Sequence, residues 1–214
     1  MTWFLDNLSH IRGLAWRHLW LSVLPVVLGF VIALPIGYAA RHLRRGGGSL
    51  LSVASVVYTI PSLPLLVIIP GVLGTSFLDP SNVVIVLTIY AVAVMVRSAA
   101  DAFGSVSEAV VDAARASGYS AWQRALQVEL PLAGPVLLAG VRVVSVSTVS
   151  LVTIAPLVGV ANLGSLFTDG FQRYFMTEVV IGILCVVVLA LVLDLVWVLL
   201  GRVTMPWLQA RSMR

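Results

Sequence analysis

Apolar residues along this chain gather into five long runs separated by short polar stretches. A helix that crosses a bilayer needs about 20 predominantly apolar residues, because the hydrocarbon layer is roughly 30 Å thick and each residue adds about 1.5 Å. The runs at 20–40, 50–73, 83–100, 132–158 and 178–201 all approach that length. The second carries Pro61, Pro64 and Pro70, so it must bend or break. Ahead of the first run, Phe4, Leu8, Ile11 and Ala15 fall near one helical face, while Asp6, Asn7, His10, Arg12 and Arg17 fall largely elsewhere. Residues 1–19 are therefore expected either as a helix lying in the membrane interface or as a frayed terminus. The fold expected is all-α and polytopic, with a membrane domain over 20–201, a polar connection over 101–131 and a short tail over 202–214.

Composition agrees with the pattern. The chain has 214 residues, of which 60% are hydrophobic and 10% charged, where soluble domains carry about 25% charged residues. So little charge cannot clothe a water-soluble surface, and no polar stretch is long enough to fold alone. Asp6 and Arg12 precede the first run and no short apolar core with a small-residue cleavage site follows a basic start, so a cleavable leader is not expected.

All 13 basic Lys/Arg side chains are Arg, and their distribution predicts orientation. If residues 101–131 face the cytoplasm, Arg41, Arg44, Arg45, Arg97, Arg115, Arg124, Arg202, Arg211 and Arg214 lie at or near the inside, against Arg12, Arg17 and Arg173 outside. That asymmetry is the one that orients membrane proteins. The amino terminus is then outside and the carboxyl terminus inside.

The most informative segment is 108–131, an Ala-rich polar stretch interrupted by Gly118. It predicts two short helices joined at a glycine, with Pro131 opening the next apolar run. Small side chains at Ala109, Ala113, Ala114 and Ala116 would let another surface approach the backbone closely, as a helix docked in a partner's groove does. A solvated connector is the plainer alternative.

Here the sequence resembles a known family. Asp112-Ala113-Ala114, three residues, Gly118, nine residues, then Val128-Glu129-Leu130-Pro131 is similar to the EAA loop of ABC-importer permeases, with Asp in place of the usual Glu. The resemblance implies the type I permease fold. It also implies that Asp112, Ala113, Ala114, Gly118, Leu130 and Pro131 couple the chain to a cytoplasmic ATP-binding subunit dimer. Further partners implied are a second permease subunit, alike or different, and an extracytoplasmic solute-binding protein. Tyr58-Thr59-Ile60-Pro61-Ser62-Leu63-Pro64 resembles a segment of the glycine betaine/carnitine/choline permeases, with Tyr58 standing where that group has Gln. Thr153-Ile154-Ala155, Gly159 and Leu163-Gly164 resemble the same group, while Val160-Ala161-Asn162 departs from its more glycine-rich run. The expected function is uptake of a compatible solute through the bacterial cytoplasmic membrane. Methionine or another small solute is the nearest alternative, ahead of a passive channel or an intramembrane enzyme.

Other residues narrow the chemistry. A P-loop ends in Lys and Ser or Thr, and this chain has no Lys, so Gly46-Gly47-Gly48-Ser49 reads as a turn and ATP is expected on a separate subunit, with no cofactor on this chain. His10, His18 and His42 lack metal-ligand spacing, and Cys185 is alone, so no metal or internal disulfide is expected. Pathway candidates are Pro61 and Ser62 at the expected break, Ser147, Thr148 and Thr153 in the hydroxyl-rich fourth run, and Asp194 in the fifth. The hydroxyls either line a pathway or bond to helix backbones. Asp194 either pairs with Arg142 or finds backbone and water while Arg142 snorkels.

Overall fold

The structure is a computed structural model, described here for residues 2–43 and 46–207. Arg44, Arg45, Arg211 and Arg214, counted above for orientation, lie outside those residues. All regular structure among the described residues is helical: α1 (Thr2–Asp6), α2 (Leu8–His42), α3 (Gly47–Thr59), α4 (Ser62–Leu73), α5 (Pro80–Gly104), α6 (Glu108–Ala116), α7 (Ala121–Arg124), α8 (Leu130–Val152), α9 (Ser165–Gln172) and α10 (Met176–Thr204). A π-helical turn, Ala125–Glu129, joins α7 to α8, and a 3₁₀ turn, Ala155–Val158, follows α8.

The five apolar runs fall on α2, the α3–α4 pair, α5, α8 and α10. Four helical stretches are long and apolar enough to cross a membrane, and the α3–α4 pair, bent by 97°, makes a fifth if it counts as one span. The first helix starts earlier than the hydropathy places it. α2 begins at Leu8 rather than near residue 20 and runs for 35 residues, about 52 Å at 1.5 Å per residue. Residues 8–19 thus continue the spanning helix instead of forming a separate segment. The cause is packing: Ile11 and Leu14 bury against Leu163 and Leu166, so part of the stripe read as membrane-facing covers protein.

α2, α5 and α8 build the central core, where Ala33, Ala91, Met95, Ala99, Leu137 and Val144 meet. Small residues bring α2 and α5 together: a Cβ at Gly29 would lie 2.5 Å from that of Ala91, and one at Gly37 would lie 2.9 Å from the Val96 carbonyl and the Ala100 amide. Such close approach is how helices gain packing energy in lipid, where hydrophobic burial offers none. α5 starts on an Asp79 cap that accepts the Ser81 amide at 2.9 Å. That bond, with help from the Ser81 hydroxyl, holds the Asp79 carboxyl below the usual carboxylate range. α10 lies on the outside and buries few residues, among them Glu178, Gly182, Leu193 and Gly201.

The break between α3 and α4 sits at Ile60-Pro61. Both residues are extended, with ψ of 128° and 135°. Pro61 lacks the N–H that would continue the ladder and biases Ile60 away from helical ψ. Pro64 stands in the first turn of α4 and Pro70 near its end, so both are accommodated within the helix. At the far end of α8, regular α-helix stops at Val152 rather than running to residue 158, and the chain tightens into the 3₁₀ turn. Buried Asn162 secures this end, donating to the carbonyls of Val152 at 3.0 Å and Val160 at 3.1 Å and accepting the Gly164 amide at 2.7 Å.

Candidate functional site

The α5–α8 connection takes the form its sequence predicts. α6 is amphipathic and has no buried residue. It ends at Gly118, whose φ is +85°, a left-handed conformation that glycine adopts without strain. The Gly118 amide donates to Arg115 O at 3.0 Å and the Tyr119 amide to Ala114 O at 3.1 Å, which satisfies carbonyls at the helix end. α7 opens on a capping box: the Gln123 amide donates to Ser120 Oγ at 3.3 Å, and the Ser120 amide to Gln123 Oε1 at 2.8 Å.

Within the connection Asp112 pairs with Arg115 at 3.0 Å, both side chains roughly two-thirds exposed. A pair so open contributes little stability and leaves both charges available to a partner. Ala113 is exposed and Ala114 half-buried. Leu130 and Pro131 begin α8 and are half-buried, so they anchor the connection to the core rather than present a surface. Sequence reasoning missed Trp122, which is 72% exposed, and beside it in the chain Tyr119 and Leu126 are 40% and 42% exposed. An exposed Trp in a polar connection is itself a signal, because Trp is enriched among the residues that dominate interfaces.

Glu129 was also missed. Its carboxylate is 2% exposed at the end of the π turn, a helix irregularity that is frequent at functional sites. It accepts the Tyr38 hydroxyl at 3.3 Å and meets His42 Nε2 at 3.1 Å. His42 Nδ1 lies 2.9 Å from the Tyr38 carbonyl. Both ring nitrogens thus face acceptors. Arg41 reaches Glu108 at 3.7 Å. The carboxyl end of α2 is therefore tied to α6 and to the root of α8. A cleft of about 330 Å³ lies between them, lined among others by Arg41, His42, Asp112, Arg115 and Glu129.

The pathway candidates do not form one cluster of shared bonds. Pro61 and Ser62 sit at the α3–α4 break. Thr148 is buried and donates to the Val144 carbonyl at 2.8 Å, and Thr153 donates to the Ser150 carbonyl at 2.6 Å, so both hydroxyls serve α8 itself. Ser147 is half-buried on the same helix. Asp194 receives Arg142 in a two-pronged pair, Nε to Oδ1 at 2.6 Å and Nη2 to Oδ2 at 2.8 Å, which joins α10 to α8. Of the two readings of these residues, the structure takes the pairing.

Several apolar helices around a small-residue core, one of them broken, and a bare amphipathic connection at one end make a polytopic membrane-protein fold. The chain belongs to the family described as binding-protein-dependent transport system inner membrane component, whose model matches residues 25–205. It is similar to the osmoprotectant import permease protein OsmW of Salmonella typhimurium, 30% identical over 200 residues and 92% of each chain. It is similar also to the glycine betaine/carnitine/choline transport system permease protein OpuCB of Bacillus subtilis (strain 168), 27% identical over 206 residues, 96% of this chain and 94% of that one. Its fold matches the inward-facing MetNI methionine ABC transporter with a TM-score of 0.83 and 22% identity, covering 93% of this chain and 98% of that one. It is thus an integral, multi-pass inner-membrane transport subunit. Permeases of this kind work with ATP-binding and substrate-binding components.

Proposed function

We propose that this chain moves a small quaternary amine, of the kind of glycine betaine, carnitine or choline, across the cytoplasmic membrane. In this reading it pairs with a second permease subunit around one pathway. ATP is bound and hydrolysed on a separate subunit pair, and an extracytoplasmic protein delivers the solute. The amino terminus is outside and the carboxyl terminus inside. The solute class rests on the relatives' names. The methionine transporter shares the fold only and does not bear on the solute.

The observation that carries the coupling role is the α6–α7 connection. Asp112, Ala113 and Trp122 are exposed among the described residues, and Asp112 and Ala113 stand at the spacing of the EAA loop. Its root is tied through Glu129 to Tyr38 and His42, so a push on α6 reaches α2 and α8 together. Nucleotide binding then drives the spans between inward- and outward-open states, provided it binds one state of the assembly more tightly than the other.

The test is uptake into proteoliposomes containing this chain, its ATPase and its binding protein. ATP-dependent accumulation of labelled glycine betaine, carnitine or choline is expected. ATP-dependent accumulation of methionine with none of these three would overturn the solute class. Solute flux without ATP would overturn the driven mechanism.

A further inference from the structure

The broken second span leaves polar backbone groups without partners. α3 ends at Thr59 and α4 begins at Ser62, with a 97° bend between them. Some groups at the break are satisfied. The Val57 carbonyl accepts the Ile60 amide at 3.3 Å, the Val56 carbonyl the Thr59 hydroxyl at 2.6 Å, and the Pro61 carbonyl the Leu65 amide at 3.4 Å. The Ile60 carbonyl accepts the hydroxyl of Tyr90, from α5. Others are not. Among the described residues nothing donates to the carbonyls of Tyr58 and Thr59, nothing accepts the amides of Ser62 and Leu63, and no side chain caps α4. Thr59, Ile60, Pro61 and Leu63 are all exposed, so no other described part of this chain covers the break.

Tyr90 fixes the depth. It stands ten residues beyond Pro80 in the 25-residue α5, about 15 Å along the helix at 1.5 Å per residue. Its bond to Ile60 therefore sets the break near the middle of the span. Irregular backbone is tolerated at that depth only where protein buries it or where it lines an enclosed, water-filled space. Lipid tails offer neither donor nor acceptor. α10 is the contrast: an unbroken helix of 29 residues with exposed apolar side chains at Val187, Val188 and Leu191, it satisfies its own ladder and needs no cover.

The cover must come from outside this chain and must reach the middle of the bilayer. In the proposed assembly the ATPase and the extracytoplasmic protein lie off the membrane on either side, and a second permease subunit alone spans it. The break also carries donors and acceptors side by side, as a self-complementary two-fold contact requires. A like surface on a second subunit can answer them directly or through bridging water. We infer that the α3–α4 break is the face on which the second permease subunit seats, so that residues 58–63 lie between the two subunits and out of contact with lipid. The inference rests on the proposed pairing of two permease subunits.

Phospholipid carrying a photoactivatable group at the end of one acyl chain tests the unaltered protein, assembled with its ATPase in proteoliposomes. Mass spectrometry should find lipid adducts on α10 and none on the peptide that spans the break. In a second arm benzoyl-phenylalanine replaces Thr59, Leu63 or, as the lipid-facing control, Val188. In assemblies that retain the ATPase, the first two should cross-link to a permease subunit and the third to lipid. Lipid adducts on the break as frequent as those on α10 overturn the inference, and so do Thr59 and Leu63 variants that give no permease adduct. The subunit count of the same assembly, read by native mass spectrometry, separates the two claims. Two permease subunits with a lipid-labelled break refute this interface alone, whereas a single permease subunit refutes the pairing itself.

Discussion

The joint at Glu129 offers the most quantitative prediction. Tyr38→Phe deletes one hydrogen bond to a buried carboxylate. Bonds to charged groups contribute about 1.5–3 kcal/mol when well made, and this one is long at 3.3 Å. Its loss should therefore cost about 1 kcal/mol. Glu129→Gln keeps the shape but weakens both the Tyr38 and the His42 contacts, and should cost about 1–3 kcal/mol. The double variant breaks the Tyr38 bond only once, so the two effects should fall short of additivity by about 1 kcal/mol, within the range for directly bonded side chains. Equilibrium unfolding in mixed detergent micelles measures the cycle. In parallel, both single variants should move less solute per ATP, since the link from α6 to α2 is loosened. Additivity to within about 0.3–0.5 kcal/mol, the behaviour of independent sites, would refute the claim that these residues form one joint.

Three further predictions address other links. Gly118→Val should impose a left-handed strain of at least about 1–2 kcal/mol and weaken co-purification with the ATPase, while Gly118→Asn should be mild; equal retention of the ATPase by both would contradict the role given to its φ of +85°. Gly37→Leu should cost at least about 1–3 kcal/mol by overpacking, because a Cβ there meets the Ala99 side chain and lies 2.9 Å from the Val96 carbonyl; an unchanged thermal midpoint would show that α2 and α5 are not closely packed. Removing either Arg142 or Asp194 alone should lower the yield of folded protein more than removing both, since each single change leaves a lone charge in the bilayer; strictly additive losses would mean that the pair does not act as one.

How much of this was legible in the sequence depends on how local each cause is. Pro61 announces the break because a missing N–H acts on its own turn. The 97° bend does not show, since it involves a Tyr90 bond from a helix about 30 residues away. Gly118 and the alanines around it marked two short helices, and the structure has them. Trp122 and Glu129 were passed over because motif spacing directs attention to the matching positions and not to what the intervening residues expose or bury. The start of α2 was misplaced for a similar reason. Hydropathy sees Arg12 and Arg17 as a boundary, whereas the helix continues because Ile11 and Leu14 find apolar partners more than 140 residues later. The Arg142–Asp194 pair stayed open between two readings because its distance depends on the register of α10 against α8, which helix packing sets.

The central claim is that the bare α6 surface receives the ATPase and transmits its work. Ala113→Trp tests it most directly, since Ala113 is exposed and a larger side chain there stands in the way of a partner. The single measurement is ATP-driven glycine betaine uptake in proteoliposomes, made on a variant whose thermal midpoint matches that of the parent. The account predicts that uptake falls at least about tenfold, a loss of about 1.4 kcal/mol or more in productive coupling. Uptake at the parent's rate would contradict it and return the connection to a solvated linker.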